Sequence, residues 1–151
     1  MVMMMETQRI PIVRLSGKLI VSIQTALSDT VVDRLQQDVA AACERGDARG
    51  LVVDVSGVDV LDSYITRSLR DLAVMARLMG VETVVCGLRP AVAMTLVEMG
   101  MELPGVRTAL NLDRALALLD SLQPEGRVRG KAYGLPAELA GDEDEEGEEE
   151  A

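Results

Sequence analysis

The chain contains no histidine, and this absence excludes more functions than any other feature of the composition. Without an imidazole there can be no Ser-His-Asp triad and no histidine-ligated zinc, and the commonest general base is missing. A glycine-rich phosphate loop and a dinucleotide-binding fingerprint are absent as well. We therefore predict that the protein is not an enzyme and uses no cofactor and no metal.

Aromatic residues and cysteines are scarce. Tryptophan and phenylalanine are absent, and Tyr64 and Tyr133 are the only tyrosines, so the core must consist of aliphatic side chains and methionine. Without a basic cluster or stacking aromatics, nucleic-acid binding has no support. Cys43 and Cys86 do not make a disulfide framework. They predict two buried reduced thiols and a cytoplasmic location.

Long apolar runs are also missing. No stretch approaches the roughly 18 uninterrupted apolar residues of a membrane-spanning helix. The first residues lack the basic start and the apolar stretch of a secretory signal. We therefore predict no association with a membrane.

The formal net charge of −10 is concentrated at one end of the chain. Residues 142–150 hold eight acidic side chains and no basic one, which leaves a net charge of only −2 on the other residues. A segment of this composition cannot bury apolar surface and is predicted to be disordered. The predicted organisation is an N-terminal segment at 1–8, a domain at 9–122, a linker rich in Gly and Pro at 123–141, and a disordered acidic tail at 142–151.

Strand and helix patterns alternate within the predicted domain. An initial hairpin turns at Ser16-Gly17, and Pro11 places its first strand at a sheet edge. We predict strands at 10–15, 18–23, 51–55, 83–86 and 106–109, and helices that run from 28–29 to Gly46, over 63–79, over 91–99 and after the capping residue Asn111. The order predicts an α/β domain with a mixed central sheet of about four to five strands and about four helices packed on it.

Ser63 lies at the start of a long predicted helix, which follows the strand at 51–55 after a short turn. The start of a helix carries unpaired N–H groups and partial positive charge, so a hydroxyl there is exposed, oriented and suited to becoming an anion. Ser63 is therefore either only a helix cap or the residue of a regulatory switch. A nucleophile elbow is excluded, because it requires Gly on both sides of the serine.

Acidic and basic residues surround this turn. Asp54, Asp59 and Asp62 are either metal ligands or, more simply, turn and cap residues. In the helix at 63–79 the apolar residues Ile65, Leu69, Leu72, Ala76 and Met79 form one stripe that should pack on the sheet. The opposite face carries Ser63, Arg67, Arg70, Val74 and Arg77, and it is either an ordinary solvated surface or an interface.

The segment at 51–63 resembles the central segment of STAS domains, the family of bacterial anti-anti-sigma factors and sulfate-transporter tails. In that family the segment ends in Asp-Ser and a partner kinase phosphorylates the serine, which corresponds to Ser63. Further features are similar to the small RsbS-type scaffold proteins of the stressosome: Tyr64-Ile65 after the serine, Arg89-Pro-Ala-Val-Ala-Met-Thr-Leu-Val-Glu-Met-Gly100 followed by Thr108-Ala-Leu-Asn-Leu112, and 19–24 with Pro11. The resemblance covers residues 9–122.

The resemblance implies a non-enzymatic scaffold of a stress-signalling complex. Such proteins self-associate and assemble with RsbR-type sensor proteins into a shell that holds an RsbT-type serine kinase, which leaves once the serine is phosphorylated. Around Ser63 we therefore expect a partner-binding surface formed by Asp62, Tyr64, Arg67 and Arg70. Two alternatives stay open: a stand-alone anti-anti-sigma factor switched by serine phosphorylation, and a nucleotide-binding STAS module.

Overall fold

The computed structural model describes residues 9–24, 27–101, 103 and 105–122. Their elements are β1 (Ile12–Leu15), β2 (Lys18–Ser22), α1 (Asp29–Glu44), β3 (Gly50–Asp54), α2 (Ser63–Leu78), β4 (Glu82–Cys86), α3 (Pro90–Glu98), β5 (Arg107–Ala109) and α4 (Leu112–Ser121). The predicted α/β class is thereby confirmed. The predicted N-terminal segment, linker and acidic tail lie outside the described residues, so the predicted domain boundaries stay predictions.

The strands form one mixed sheet in the order β1-β2-β3-β4-β5. β1 is antiparallel to β2, and every other neighbouring pair is parallel. The β1–β2 turn has φ of 51° at Ser16 and 79° at Gly17, and two positive φ values are what a tight two-residue hairpin requires. β1 is an edge strand that begins directly after Pro11, as the missing N–H of proline predicts.

Alternate strand residues face two different layers of helix. On one face, Leu19, Leu51, Val53 and Val85 join the main core together with residues of α1, α2 and α3. On the other face, α4 packs against the first residue of β3. A Cβ placed on Gly50 would lie 2.7 Å from Leu119 Cδ1, so only glycine leaves room for this helix at that point.

Side chains cap the starts of α1 and α4. Ser28 Oγ accepts a hydrogen bond from Val31 N at 3.3 Å at the start of α1, and Asn111 Oδ1 accepts one from Arg114 N at 2.9 Å at the start of α4.

The prediction that Met79 belongs to the buried stripe was wrong. Met79 is the C-cap of α2 and is 40% exposed, because its backbone, with φ of −98° and ψ of 11°, no longer follows the helix.

Both cysteines are free and buried, as predicted. Burial raises the pKa of the Cys86 thiol to about 11, and the negative charge of Asp54 adds to the shift. Burial also raises the pKa of Cys43, with the positive charge of Arg14 opposing it in part. Both thiols are therefore protonated at neutral pH and poor nucleophiles. Among the described residues, no helix is long and apolar enough to cross a bilayer.

Candidate phosphorylation and partner-binding site

The predicted site lies at the edge of the sheet where the parallel strands end. β2, β3 and β4 all finish at this edge, and α1, α2 and α3 all begin there, because each helix returns antiparallel to the strand before it. In open α/β sheets this edge is the usual place for binding sites. Between Asp54, the last residue of β3, and Ser63, the first of α2, runs the loop of residues 55–62, called here the switch loop.

The switch loop is held from inside by backbone and core contacts. Asp54 Oδ1 accepts a hydrogen bond from Ser56 N at 2.9 Å, and Val58 N donates to the Val55 carbonyl at 2.9 Å. The side chains of Val58 and Leu61 are 5% and 3% exposed and belong to the main core. The loop is therefore an ordered connection with two apolar anchors.

A side chain from another loop holds its outer part. Arg89, which precedes α3, donates from Nε to the Ser56 carbonyl at 3.0 Å and from Nη1 to Asp59 Oδ1 at 2.7 Å. Next to Asp59, Val60 is 75% exposed, which is unusual for so apolar a residue in an ordered loop. Arg89 is not among the residues predicted for the site. The contact joins residues 30 and 33 positions apart, so no local pattern could have revealed it.

The cap of α2 is Asp62 and not Ser63. Asp62 has extended backbone angles, and its Oδ1 accepts a hydrogen bond from Ile65 N at 2.8 Å. The Asp62 carbonyl accepts further bonds from Thr66 N at 2.9 Å and from Thr66 Oγ1 at 2.8 Å. The alternative in which Ser63 serves only as the cap was therefore wrong, because the preceding carboxylate already satisfies that position.

Ser63 is the first helical residue and is exposed. Its hydroxyl forms no hydrogen bond with any residue that the structure describes. The side chain is thus accessible to another protein and has no structural task within the described residues. It also lies where the N–H groups of the first turn give the helix its positive end.

From Ser63, exposed residues continue along the outer face of α2, called here the α2 stripe. Arg67 lies one turn further on, where it shares a helix face with Ser63, and it has no hydrogen-bond or ion-pair partner among the described residues. Arg70 is half-buried and donates to Asp71 Oδ1 at 3.1 Å. The exposed members of the stripe are Ser63, Tyr64, Arg67, Asp71, Val74, Arg77 and Leu78.

The three aspartates of this region serve three separate purposes. Asp54 holds the backbone of Ser56, Asp59 binds Arg89, and Asp62 caps α2. Asp54 and Asp62 are turn and cap residues, as the simpler of the two interpretations predicts, whereas Asp59 forms an ion pair with Arg89. Within the described part of the chain, no group of three or more carboxylates or thiols is arranged to hold a metal ion.

Comparison with known proteins identifies the family. The STAS domain family matches residues 2–115, and the chain therefore belongs to it. Two solved structures with similar sequences share the fold over most of their length. A serine-to-glutamate variant of RsbS from Moorella thermoacetica is 35% identical, with a TM-score of 0.66, and the match covers 75% of this chain and 96% of that one.

The second structure is that of the stressosome, described as a signal integration and transduction hub. One of its chains is 38% identical, with a TM-score of 0.65, and the match covers 74% of this chain and 97% of that one. In sequence, the RsbT co-antagonist protein RsbRD of Bacillus subtilis is 31% identical over 81 residues, or 54% of this chain and 29% of that protein. The co-antagonist RsbRB is 30% identical over 120 residues, 74% of this chain and 43% of that protein. The chain thus spans less than half the length of these curated relatives. It is a STAS domain protein that resembles RsbS.

Proposed function

We propose that the protein is a non-enzymatic, cytoplasmic scaffold of a stressosome-type signalling complex, and that it holds an RsbT-type serine kinase and releases it when phosphorylated on Ser63. The similarity to RsbS and to a stressosome chain supports the scaffold role. The similarity to RsbT co-antagonists supports a kinase of that type as partner and RsbR-type proteins as fellow subunits. Self-association belongs to the same proposal.

The observation that carries the proposal is the division of tasks between Asp62 and Ser63. Because the Asp62 carboxylate caps α2, the neighbouring hydroxyl can change its chemistry without removing a contact that the fold needs. Ser63 is exposed and its hydroxyl is unpaired among the described residues. A serine in this position is suited to repeated addition and removal of a phosphate.

Phosphorylation would alter the surface far more than the fold. A phosphate adds about −1.5 to −2 charges at neutral pH. At the first residue of α2 this charge meets the positive end of the helix, which favours anions by about 0.3–1 kcal/mol. Arg67, which has no partner among the described residues and lies one turn away, would bind the phosphate. The fold is therefore expected to survive the modification.

A kinase packed on this surface would respond differently. The proposed contact residues are Asp62, Tyr64, Arg67 and Arg70, with Tyr64 39% exposed beside the serine. A phosphate there must lose part of its hydration if the partner remains bound, and it draws Arg67 away from any carboxylate of the partner. Both effects lower the affinity of the kinase for this surface, so phosphorylation releases the kinase.

Phosphosite mapping tests the proposal. The full-length protein is incubated with the RsbT-type kinase of its own genome and ATP, and mass spectrometry locates the phosphate. We expect it on Ser63, and we expect Ser63→Ala to abolish labelling while the kinase stays bound in a pull-down. Ser56→Ala is the matched control, because Ser56 is an exposed serine of the switch loop that leads to Ser63. Phosphate found only at another residue would contradict the proposal.

A further inference from the structure

We propose that Arg89 is a positioning residue, which joins the switch loop to the start of α3 and so presents Val60 and Ser63 to the kinase as one surface. This inference rests on the proposed function. Its basis is the pair of hydrogen bonds from one guanidinium to the Ser56 carbonyl and the Asp59 carboxylate, at 3.0 and 2.7 Å. The planar guanidinium donates to the two acceptors from two separate nitrogens held in a rigid fork, a geometry that the single ammonium nitrogen of lysine does not reproduce.

The two bonds act on the part of the loop that the core does not hold. Val58 and Leu61 are anchored in the core, and Asp62 is fixed by its cap. Between these anchors lie Asp59 and Val60, both exposed. The contact from Arg89 is the side-chain bond that fixes Asp59 among the described residues. It therefore determines where the adjacent apolar side chain of Val60 projects.

The local backbone indicates that the side chain of Arg89 is not needed by its own helix. Arg89 occupies the N-cap position of α3 but forms no side-chain cap there, and Pro90 follows at the first turn, where its missing N–H is harmless. Close packing brings the two loops together, because a Cβ on Gly87 would lie 2.8 Å from Asp54 Oδ1 and 2.9 Å from Ser56 Cβ. The loop after β4 thus lies against the loop after β3, and Arg89 connects them.

Stability cannot be the main role of this contact. The side chains of Arg89 and Asp59 are 53% and 76% exposed, and solvent-exposed ion pairs of this kind contribute little to the free energy of unfolding. The contact instead restricts a loop whose exposed tip contains Val60, next to the serine that is modified. Restricting a binding loop in its bound form increases affinity by lowering the entropy lost on binding.

The experiment uses the full-length protein and four variants. Arg89→Ala removes the contact together with one positive charge. Asp59→Asn weakens the contact and removes one negative charge. Arg89→Lys keeps the positive charge but loses the forked geometry of the two hydrogen bonds. Arg14→Ala is the matched control. Arg14 also binds a carboxylate and a carbonyl, of Asp47 at 2.6 Å and Ala42 at 3.1 Å, but at the start of the parallel strands, away from the switch loop.

Two quantities are measured for each variant. Hydrogen–deuterium exchange of residues 55–62 should accelerate by about tenfold in Arg89→Ala and Asp59→Asn and stay unchanged in Arg14→Ala, because only the first two release the loop. The kcat/KM for phosphorylation of Ser63 by the RsbT-type kinase should fall by about tenfold in the same two variants, mainly through KM. Arg89→Lys should retain most of both defects. Since Arg89→Ala and Asp59→Asn change the net charge in opposite directions, charge alone cannot produce the same loss in both.

Unchanged exchange in Arg89→Ala would overturn the inference. Faster exchange with an unchanged KM would overturn it as well, because the loop would then be held without consequence for the kinase. An Arg14→Ala defect in KM equal to that of Arg89→Ala would show that only net charge matters. If the wild type itself carried no phosphate on Ser63, the proposed function would fail, whereas the exchange result would still decide whether Arg89 holds the loop.

Discussion

At the residue scale, the first turn of α2 places the structural cap and the residue proposed for regulation at two neighbouring positions. Asp62 supplies the oxygen that the helix needs, and Ser63 supplies a hydroxyl that the described structure does not use. The sequence could not distinguish them, because Asp and Ser are both favoured caps and stand next to each other. Only the observed bond from Ile65 N to the Asp62 carboxylate decides between the two.

Asp62→Ala and Ser63→Ala should therefore differ in stability. We expect Asp62→Ala to lower the free energy of unfolding by about 1 kcal/mol, since it removes the cap. Ser63→Ala should change it by less than about 0.5 kcal/mol, because the exposed hydroxyl has no hydrogen bond to lose among the described residues. Urea unfolding followed by circular dichroism measures both values. A larger loss in Ser63→Ala than in Asp62→Ala would show that the cap is assigned to the wrong residue.

At the scale of elements, α2 shows which buried residues the sequence could predict and which it could not. Helical periodicity correctly placed Ile65, Leu69, Leu72 and Ala76 against the sheet. It failed at Met79, because the backbone of this C-cap residue has left helical geometry, so the helical spacing no longer sets the direction of its side chain. The contact between Arg89 and Asp59 was missed, since it depends on two loops that meet only after the parallel strands have paired.

A leucine-to-alanine substitution should strongly destabilise the protein on the buried face of α2 and have little effect on the exposed face. Leu72 is 1% exposed, and Leu72→Ala is expected to lower the free energy of unfolding by about 2–5 kcal/mol through lost packing and a cavity. Leu78 is 83% exposed at the end of the α2 stripe, so Leu78→Ala should change stability by less than about 0.5 kcal/mol. Thermal and urea unfolding of the two variants provide the comparison. Equal losses would mean that the helix is rotated relative to the described structure.

At the scale of the whole molecule, charge and surface favour a protein that works through contacts with other proteins. Once the acidic segment at 142–150 is set aside, the net charge is only −2, so the rest of the chain has no strong field to attract nucleic acid. Apolar side chains are exposed on the α2 stripe and also on α3, where Met94 and Val97 are 63% and 77% exposed. Several apolar surfaces on one small domain are consistent with a subunit that has several neighbours.

Assembly is the prediction that belongs to this scale. We expect the protein to form at least dimers alone and megadalton particles when it is produced together with an RsbR-type partner. Mass photometry of the purified mixture measures this. Monomers and small complexes only, with a one-to-one kinase complex, would instead support the stand-alone anti-anti-sigma factor. Binding of GTP or ATP detected by calorimetry would support the nucleotide-binding alternative.

Release of the kinase by phosphate on Ser63 is tested by comparing the affinity of the kinase for the unmodified and the phosphorylated protein. The RsbT-type kinase is titrated, by surface binding or calorimetry, with unmodified protein and with protein carrying phosphate on Ser63, as verified by mass spectrometry. We predict that the modified protein binds at least about tenfold more weakly, which corresponds to about 1.4 kcal/mol, while its melting temperature is nearly unchanged. Equal affinity of the two forms, or tighter binding of the phosphorylated one, would contradict the account.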